Sequence, residues 1–287
     1  MNGCNGPLRM LASVAMVAVM STAVTVRPAS ADAVALASHR AIYDLKLAQT
    51  KGTRTMASVR GRIVYDFSGN ACEGYALSFR QVTELDNGEG KVAVSDLRSA
   101  TWEEGAAKTY RFNFQNYISQ ELVDSSDGKA DRANDGKPTS VHLTKPEDKR
   151  FDLDAAVAFP TEHMRRIIQA AKDGKSVLEV QVYDGSESGE RLYNTLTVIG
   201  HVIAPGERKP DDVAANQPAL DGLRRWPVTI SYFDKTKKGD EQTPVYAITF
   251  ELYENGISRA LSLDYGDFVI SGEMTALEVK DNKAGCP

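Results

Sequence analysis

Only one stretch of this 287-residue chain has the periodicity of an α-helix, and the segments on both sides of it alternate as β-strands do. The stretch covers residues 159–174, with Pro160 suited to the first helical turn and Gly174 suited to its end. Its apolar stripe consists of Met164, Ile167, Ile168 and Ala171, spaced i, i+3, i+4 and i+7. Both ends are therefore specified locally, and we expect the stripe to pack against a sheet.

The strand-like segments follow one another without a second helical pattern. Residues 75–82 and 91–98 flank a polar hairpin loop, and Asn255-Gly256 predicts a two-residue turn of type I′. Asp127-Gly128 and Asp135-Gly136 are interpreted as further turns. Roughly fourteen consecutive antiparallel strands must close, split or curl, because a flat sheet of that size leaves long edges. We predict an all-β fold, a long antiparallel sheet wound into a spiral or open barrel, with one main amphipathic helix that plugs or caps it.

Residues 1–31 have the pattern of a secretory signal peptide. Arg9 precedes the apolar run Met10–Val26, and Ala29-Ser30-Ala31 supplies small residues before a cleavage point at Asp32. A retained membrane anchor is the alternative, but further positive charge would be expected after the run. We therefore predict a soluble mature protein in an oxidising compartment, with one domain over residues 32–287 and no membrane span after cleavage.

Charge argues against a nucleic-acid partner. The formal net charge is −5 at pH 7, and loss of Arg9 and Arg27 with the signal peptide makes it more negative. A protein held to nucleic acid by phosphate contacts needs the opposite balance.

Catalytic and metal-binding patterns are absent from the sequence. The four histidines, His39, His142, His163 and His201, are far apart and none has a neighbour at metal-ligand spacing. His163 is expected to be a solvated histidine on the helix surface. The Gly185–Gly189 stretch, within a loop expected to be flexible, has Glu187 where a nucleophile elbow has serine. We predict no enzyme activity, no catalytic residues, no metal and no cofactor.

The long segment from Pro205 to Pro218 is rich in Pro, Asp and Ala. A surface excursion is the simpler interpretation, and an ordered flap over a binding surface is the alternative.

Two cysteines, Cys72 and Cys286, remain after removal of the signal peptide, which takes Cys4 with it. An even number of cysteines in an oxidising compartment favours a disulfide between them over two free thiols.

Several separated motifs resemble the EipB-type cell-envelope integrity proteins of Gram-negative bacteria, periplasmic domains of unknown biochemical activity. These motifs are Ser38–Tyr43, Cys72–Tyr75, Phe159–Met164, Trp226–Val228 with Ser231–Phe233, and Gly285-Cys286. The resemblance spans almost the whole mature chain. It implies a spiral sheet similar to the open barrels of periplasmic lipoprotein carriers, a disulfide at Cys72 and Cys286, a periplasmic location, and no cofactor or known catalytic residue.

The leading hypothesis is thus a non-enzymatic periplasmic protein that supports envelope integrity by binding an envelope component or a protein partner. A lipid or lipoprotein carrier with a half-barrel cavity is the first alternative, and it requires an apolar cavity under the helix. An envelope hydrolase is the second, although no nucleophile and base can be paired from the sequence.

We expect reduction, or Cys286→Ser, to lower the melting temperature and to increase proteolysis near the C-terminus. The bond would close a loop of about 214 residues, for which chain entropy gives about 5 kcal/mol as an upper value. Differential scanning calorimetry and limited proteolysis, with and without reductant, measure both effects. Two free thiols in periplasmic protein, mapped by mass spectrometry, would contradict the bond itself.

Overall fold

The computed structural model describes residues 34–51, 56–90, 92–133, 137–154, 156–235 and 243–281, so the predicted signal peptide, the Asp135-Gly136 turn and Cys286 lie outside the described residues. The elements are β1 His39–Thr50, β2 Ser58–Asn70, β3 Gly74–Asp86, β4 Val92–Glu103, β5 Thr109–Ile118, β6 Glu121–Arg132, β7 Thr139–Lys145, β8 Lys149–Leu153, α1 Pro160–Lys172, β9 Val177–Val182, β10 Tyr193–Ile199, α2 Pro218–Asp221, β11 Arg225–Asp234, β12 Tyr246–Tyr253, β13 Ser258–Asp264 and β14 Phe268–Val279. Two 3₁₀ turns, Glu187–Gly189 and Val213–Ala215, complete the set.

All fourteen strands belong to one antiparallel sheet, which is not closed into a barrel. Its order is β8-β7-β6-β5-β4-β3-β2-β1-β14-β13-β12-β11-β10-β9. The predicted all-β fold with one long antiparallel sheet and one main helix is confirmed.

The pairing of β1 with β14 determines where the sheet ends. The two strands pair from His39 opposite Val279 to Thr50 opposite Phe268. All other neighbours in the sheet are consecutive in the chain. The edges are therefore β8 and β9, and these are the strands that α1 connects.

The chain just before α1 protects one of these edges. The Ala158 N–H donates to Gln181 O at 2.8 Å, and the Tyr183 N–H donates to Ala158 O at 3.0 Å, which makes a parallel bridge to β9. Phe159, the next residue, is fully buried and its ring stacks on Tyr110 at 5.2 Å. The backbone groups of β9 thus have a partner where an open edge would invite another strand.

Helix α1 begins on a carboxylate from a distant strand. Glu103, the last residue of β4, accepts the Thr161 N–H at 2.7 Å and the Glu162 N–H at 2.8 Å. These are free donors at the positive end of the helix. Burial raises the pKa of Glu103 to about 7, against the effect of the two N–H donors. The cap fixes the start of α1 relative to β4.

The helix buries the face that the periodicity predicts, with one correction. Ile167 and Ile168 are fully buried, Ala171 is buried, and Met164 is half-buried. The prediction of a solvated His163 is wrong, because only 4% of the residue is exposed. It lies one position before Met164, where β10 packs against the helix through Thr195.

Two turn predictions are also wrong. Strand β6 runs straight through Asp127 and Gly128 with only a bulge against β7. Glycine is required at 128 by crowding, since a Cβ there would lie 2.8 Å from the Phe112 ring. The turn at Asn255 and Gly256 is a longer loop: the Tyr253 N–H donates to Ile257 O at 2.8 Å, and only Gly256 has a positive φ, +88°. Type I′ needs two such residues in succession.

The segment 205–221, called the strap below, is an ordered cover over the sheet. Asp212 is its main anchor: the carboxylate accepts Arg259 Nη2 at 3.0 Å and the Met274 N–H at 3.2 Å. Arg259 also donates to Glu251 at 2.6 Å, so the anchor belongs to a buried ion-pair cluster. The segment is therefore ordered, although most of its residues are exposed on the surface, and a role as a flap over a binding surface stays a prediction.

The strap covers the part of β14 that extends beyond its pairing with β13. Strand β13 pairs with β14 only from Leu261 to Asp264, whereas β14 continues to Val279. Along the remainder, Gln217 of the strap donates to Leu277 O at 3.4 Å, and Ala215 is buried nearby. The strap therefore replaces a missing strand neighbour.

Replacing Ile167 with Asp should destabilise the fold by about 3 kcal/mol or more, because the substitution places an unpaired charge at a fully buried position. Lys172→Ala, in the last turn of the same helix, should change the free energy of unfolding by less than about 0.5 kcal/mol. Urea denaturation of both variants is the measurement. Equal midpoints for the two variants and the parent would show that the helix face is not packed.

Candidate ligand cavity

A cavity of about 630 Å³ lies inside the curve of the sheet. Its walls come from β1 to β6 on one side and from β10 to β13 on the other, and Met164 of α1 reaches it. Nine of its 25 lining residues are aromatic and eight are aliphatic. A cavity of this size and character suits a small hydrophobic ligand.

A row of aromatic rings forms one wall. Tyr232 stacks on Tyr246 at 4.6 Å with nearly parallel planes, and Tyr193 meets Tyr232 edge-on at 5.8 Å. Tyr265 extends the row 6.2 Å beyond Tyr246. Tyr193, Tyr232 and Tyr246 come from β10, β11 and β12, because alternation places side chains of the same level on one face. Tyr232 packs against the main hydrophobic core and also borders the cavity.

The tyrosine hydroxyls of the cavity are neutral. Burial raises the pKa of Tyr65 and of Tyr232 to about 12. It also raises the pKa of Tyr43, whose hydroxyl donates to Ser258 O at 2.7 Å. These side chains offer flat apolar surfaces and hydrogen bonds, not charge.

A smaller cavity of about 190 Å³ lies under the start of α1 and shares part of its lining with the main cavity. Both cavities are bordered by Met164, Tyr65 and Tyr232. Methionine is unbranched and adapts its shape readily. Met164 is therefore a side chain that can adapt its shape to the contents of either cavity.

Carboxyl groups gather at one end of the main cavity: Asp124, Asp184 and Glu187. Asp184 Oδ1 accepts the Ser186 N–H at 2.9 Å and the Ser186 hydroxyl at 2.8 Å. Burial raises the pKa of Asp184, and the bonds from Ser186 act against that rise. Asp124 accepts the Ser188 N–H at 3.1 Å. The end of an otherwise apolar cavity is thus acidic.

The loop that supplies Asp184 and Glu187 is fixed in place, contrary to the flexibility expected from its composition. The Ser126 hydroxyl donates to Gly185 O at 2.5 Å, and Tyr110 donates to Asp184 O at 2.7 Å. A Cβ at Gly185 would lie 2.5 Å from the Phe112 ring. The loop therefore packs onto β5 and β6 and cannot be read as a solvated hairpin end.

The histidines form no catalytic pair. His163 Nε2 lies 3.3 Å from Thr195 Oγ1, but that hydroxyl is buried and donates to Val180 O at 2.8 Å, so its proton is already engaged. His39 is buried against Tyr65 at 5.4 Å. In the described ranges, no group of three or more His, Cys, Asp or Glu is placed to hold a metal ion.

The predicted disulfide is compatible with the geometry around Cys72. Its N–H donates to Asn70 Oδ1 at 2.9 Å in the turn after β2. Two strands away in the sheet β14 ends, and Lys280 contacts Asp66 of β2. Since Cys286 lies outside the described residues, the bond stays a prediction.

Comparison with known proteins gives three consistent findings. The model of the EipB-like family matches residues 30–281. The cell envelope integrity protein EipB of Brucella abortus (strain 2308) is 39% identical over 260 residues, which is 90% of each chain. The crystal structure of a beta-barrel-like protein of a domain of unknown function from Brucella abortus has a TM-score of 0.78 and 38% identity, and the alignment covers 87% of this chain and 100% of that one. The predicted resemblance is confirmed.

In the part of the chain that the structure describes, no helix combines the length and the apolar character needed to cross a membrane.

The contribution of His163 to stability should fall as the pH drops from about 7 to 5, whereas Glu103, whose pKa is raised to about 7, changes stability in the opposite direction over the same range. Burial and the nearby Arg166 lower the pKa of His163 to about 4, with Glu162 acting in the opposite direction, whereas the ordinary value is 6.5. Between those values the unfolded chain binds the proton and the folded chain does not, so acid favours unfolding. The loss is about 2 kcal/mol at pH 5.

We expect the free energy of unfolding of His163→Gln, relative to that of the parent, to rise by about 2 kcal/mol between pH 7 and pH 5, measured by urea denaturation at each pH. His201→Gln is the matched control, because His201 is exposed. A difference between His163→Gln and the parent that does not change with pH would contradict the assignment.

Proposed function

Because this chain belongs to the EipB-like family, we propose that it is a non-enzymatic periplasmic protein that supports cell-envelope integrity by binding a hydrophobic envelope component in its central cavity. The name of the Brucella abortus relative, a cell envelope integrity protein, supports the envelope role. The cavity supports the binding role.

The single observation that carries the binding role is the lining of the cavity. At about 630 Å³ it falls within the range of small-molecule sites, and seventeen of its 25 lining residues are aromatic or aliphatic. A core of this size ordinarily fills with side chains, because packed interiors leave few voids larger than a water molecule. An unfilled apolar volume gains stability when an apolar ligand occupies it.

A carrier that takes up and releases such a ligand is the second candidate, and Met164 favours it. This side chain borders both cavities and belongs to the helix that connects the two edge strands in sequence. A displacement of α1 would therefore alter the access and the volume of the site together.

Secretion and the disulfide are parts of the same proposal. Residues 1–31 direct the chain to the periplasm and are removed, and residues 32–287 form a single domain. Cys72 and Cys286 then join the turn after β2 to the end of the chain. The short distance across the sheet from β14 to β2, through β1, supports this link.

Narrowing the cavity should abolish ligand binding without unfolding the protein. Leu97→Trp adds bulk to the cavity wall, whereas Val94→Trp adds the same bulk on the opposite face of β4, where Val94 is 39% exposed. Native mass spectrometry of protein purified from the periplasm should show a bound hydrophobic molecule in the parent and in Val94→Trp, and none in Leu97→Trp.

The same two variants test the envelope role in a strain that lacks the gene. The strain should become sensitive to detergents and cell-wall antibiotics, Val94→Trp should restore tolerance, and Leu97→Trp should not. Unchanged tolerance in the deletion strain contradicts the envelope role. Full complementation by a folded Leu97→Trp contradicts the use of the cavity.

A further inference from the structure

We propose that the ligand of the central cavity is a cationic amphiphile, with an apolar body against the aromatic row and an ammonium group between Asp124 and Asp184. This inference rests on the proposed ligand-binding function and specifies the chemical class of the ligand. Four features of the cavity carry it.

The first feature is the sign of the charge. The lining residues include three carboxylic acids and no Lys, Arg or His. Burying a carboxylate in apolar surroundings is costly unless a positive partner or several hydrogen bonds compensate it. An acidic end in an apolar cavity therefore favours a ligand that brings positive charge.

The second feature is the lack of internal compensation at two of the three acids. Glu187 is paired with Arg191 at 2.7 Å and accepts the Tyr193 hydroxyl at 3.2 Å, and Arg191 also faces Asp234 at 3.4 Å. Within the described residues, neither Asp124 nor Asp184 forms an ion pair. The Asp124 carboxylate accepts the Ser188 N–H, and the Asp184 carboxylate accepts the N–H and the hydroxyl of Ser186.

The third feature is an unsatisfied acceptor at the same end. Asn116 lies directly opposite Asp124 across β5 and β6, and both border the cavity. Its Oδ1 atom is buried and, in the described part of the chain, has no hydrogen-bond donor. Buried polar atoms without a partner are rare in folded proteins. An ammonium group has three donors, enough for Asn116, Asp124 and Asp184 together.

The fourth feature is the aromatic row. Tyr193, Tyr232 and Tyr246 border the same cavity as the acids, the Tyr193 hydroxyl donates to Glu187 at 3.2 Å, and aromatic rings attract cations. An anionic headgroup at this end would be repelled by the carboxylates and would gain no attraction from the ring faces. Burial already raises the pKa of Asp184, and a second negative charge beside it would raise that pKa further.

The test compares three twelve-carbon ligands on the delipidated mature chain at pH 7: dodecylammonium, dodecanol and dodecanoate. They share one tail and differ only in headgroup charge. Isothermal titration calorimetry below the micelle concentration should give about tenfold tighter binding for dodecylammonium than for dodecanol. Dodecanoate should bind more weakly than dodecanol.

Asp124→Asn and Asp184→Asn should each weaken dodecylammonium about tenfold and leave dodecanol within twofold of the parent. Asp152→Asn, an equal charge change at an exposed position of β8, should leave all three affinities unchanged. The ranking of the three ligands on the parent protein needs no variant, so it stands even if a substitution harms folding.

Equal affinities for dodecylammonium and dodecanol, or tighter binding of dodecanoate, would overturn this inference while leaving a ligand-binding cavity in place. Binding of none of the three would overturn the proposed function, and the inference with it.

Discussion

An antiparallel sheet has two edges, and the position of these edges controls the rest of this structure. Since β1 pairs with β14, the first and the last strand lie side by side in the middle of the sheet, and its edges are two strands from the middle of the sequence. The segment between them is α1 with its lead-in. It pairs with β9 through Ala158 and starts on Glu103 of β4. The helix is thereby held across the opening that an unclosed sheet would otherwise leave.

The same arrangement explains why a cavity survives in the interior. A fully closed barrel of fewer strands brings opposite walls close enough for side chains to fill the inside. Here fourteen strands curve around a wider space, and a single helix covers it with one narrow face. Ile167 and Ile168 are fully buried and fill part of the interior. Met164 only borders the volume that remains open. The remaining volume is bordered by rings and three acids.

The sequence predicted the parts of this structure that depend on local pattern. The helix face and the alternation of the strands follow from periodicity within a dozen residues. Glu103 could not be found that way, because it acts on Thr161, 58 residues later, and a single Glu at a strand end resembles a surface carboxylate. Gly128 follows an aspartate, and this pair has the composition of a turn. Glycine stands there for another reason, because a Cβ would collide with the Phe112 ring. Asp124 and Asp184 converge only through the packing of a distant loop, so no spacing in the chain indicates the acidic end.

The central pair of strands also has a kinetic consequence. Ala41 of β1 lies opposite Leu277 of β14, more than 200 residues away in the sequence. Loop closure over such a distance is entropically costly, and folds rich in remote contacts form slowly. Strands β1 to β8 and β9 to β13 can each assemble from neighbours as the chain emerges, but β1 can pair with β14 only after the last strand has been made. Until it arrives, two half-sheets coexist with bare inner edges, and such intermediates are prone to aggregate. The free edge of β1 therefore stays exposed throughout the synthesis of the strands that separate it from β14.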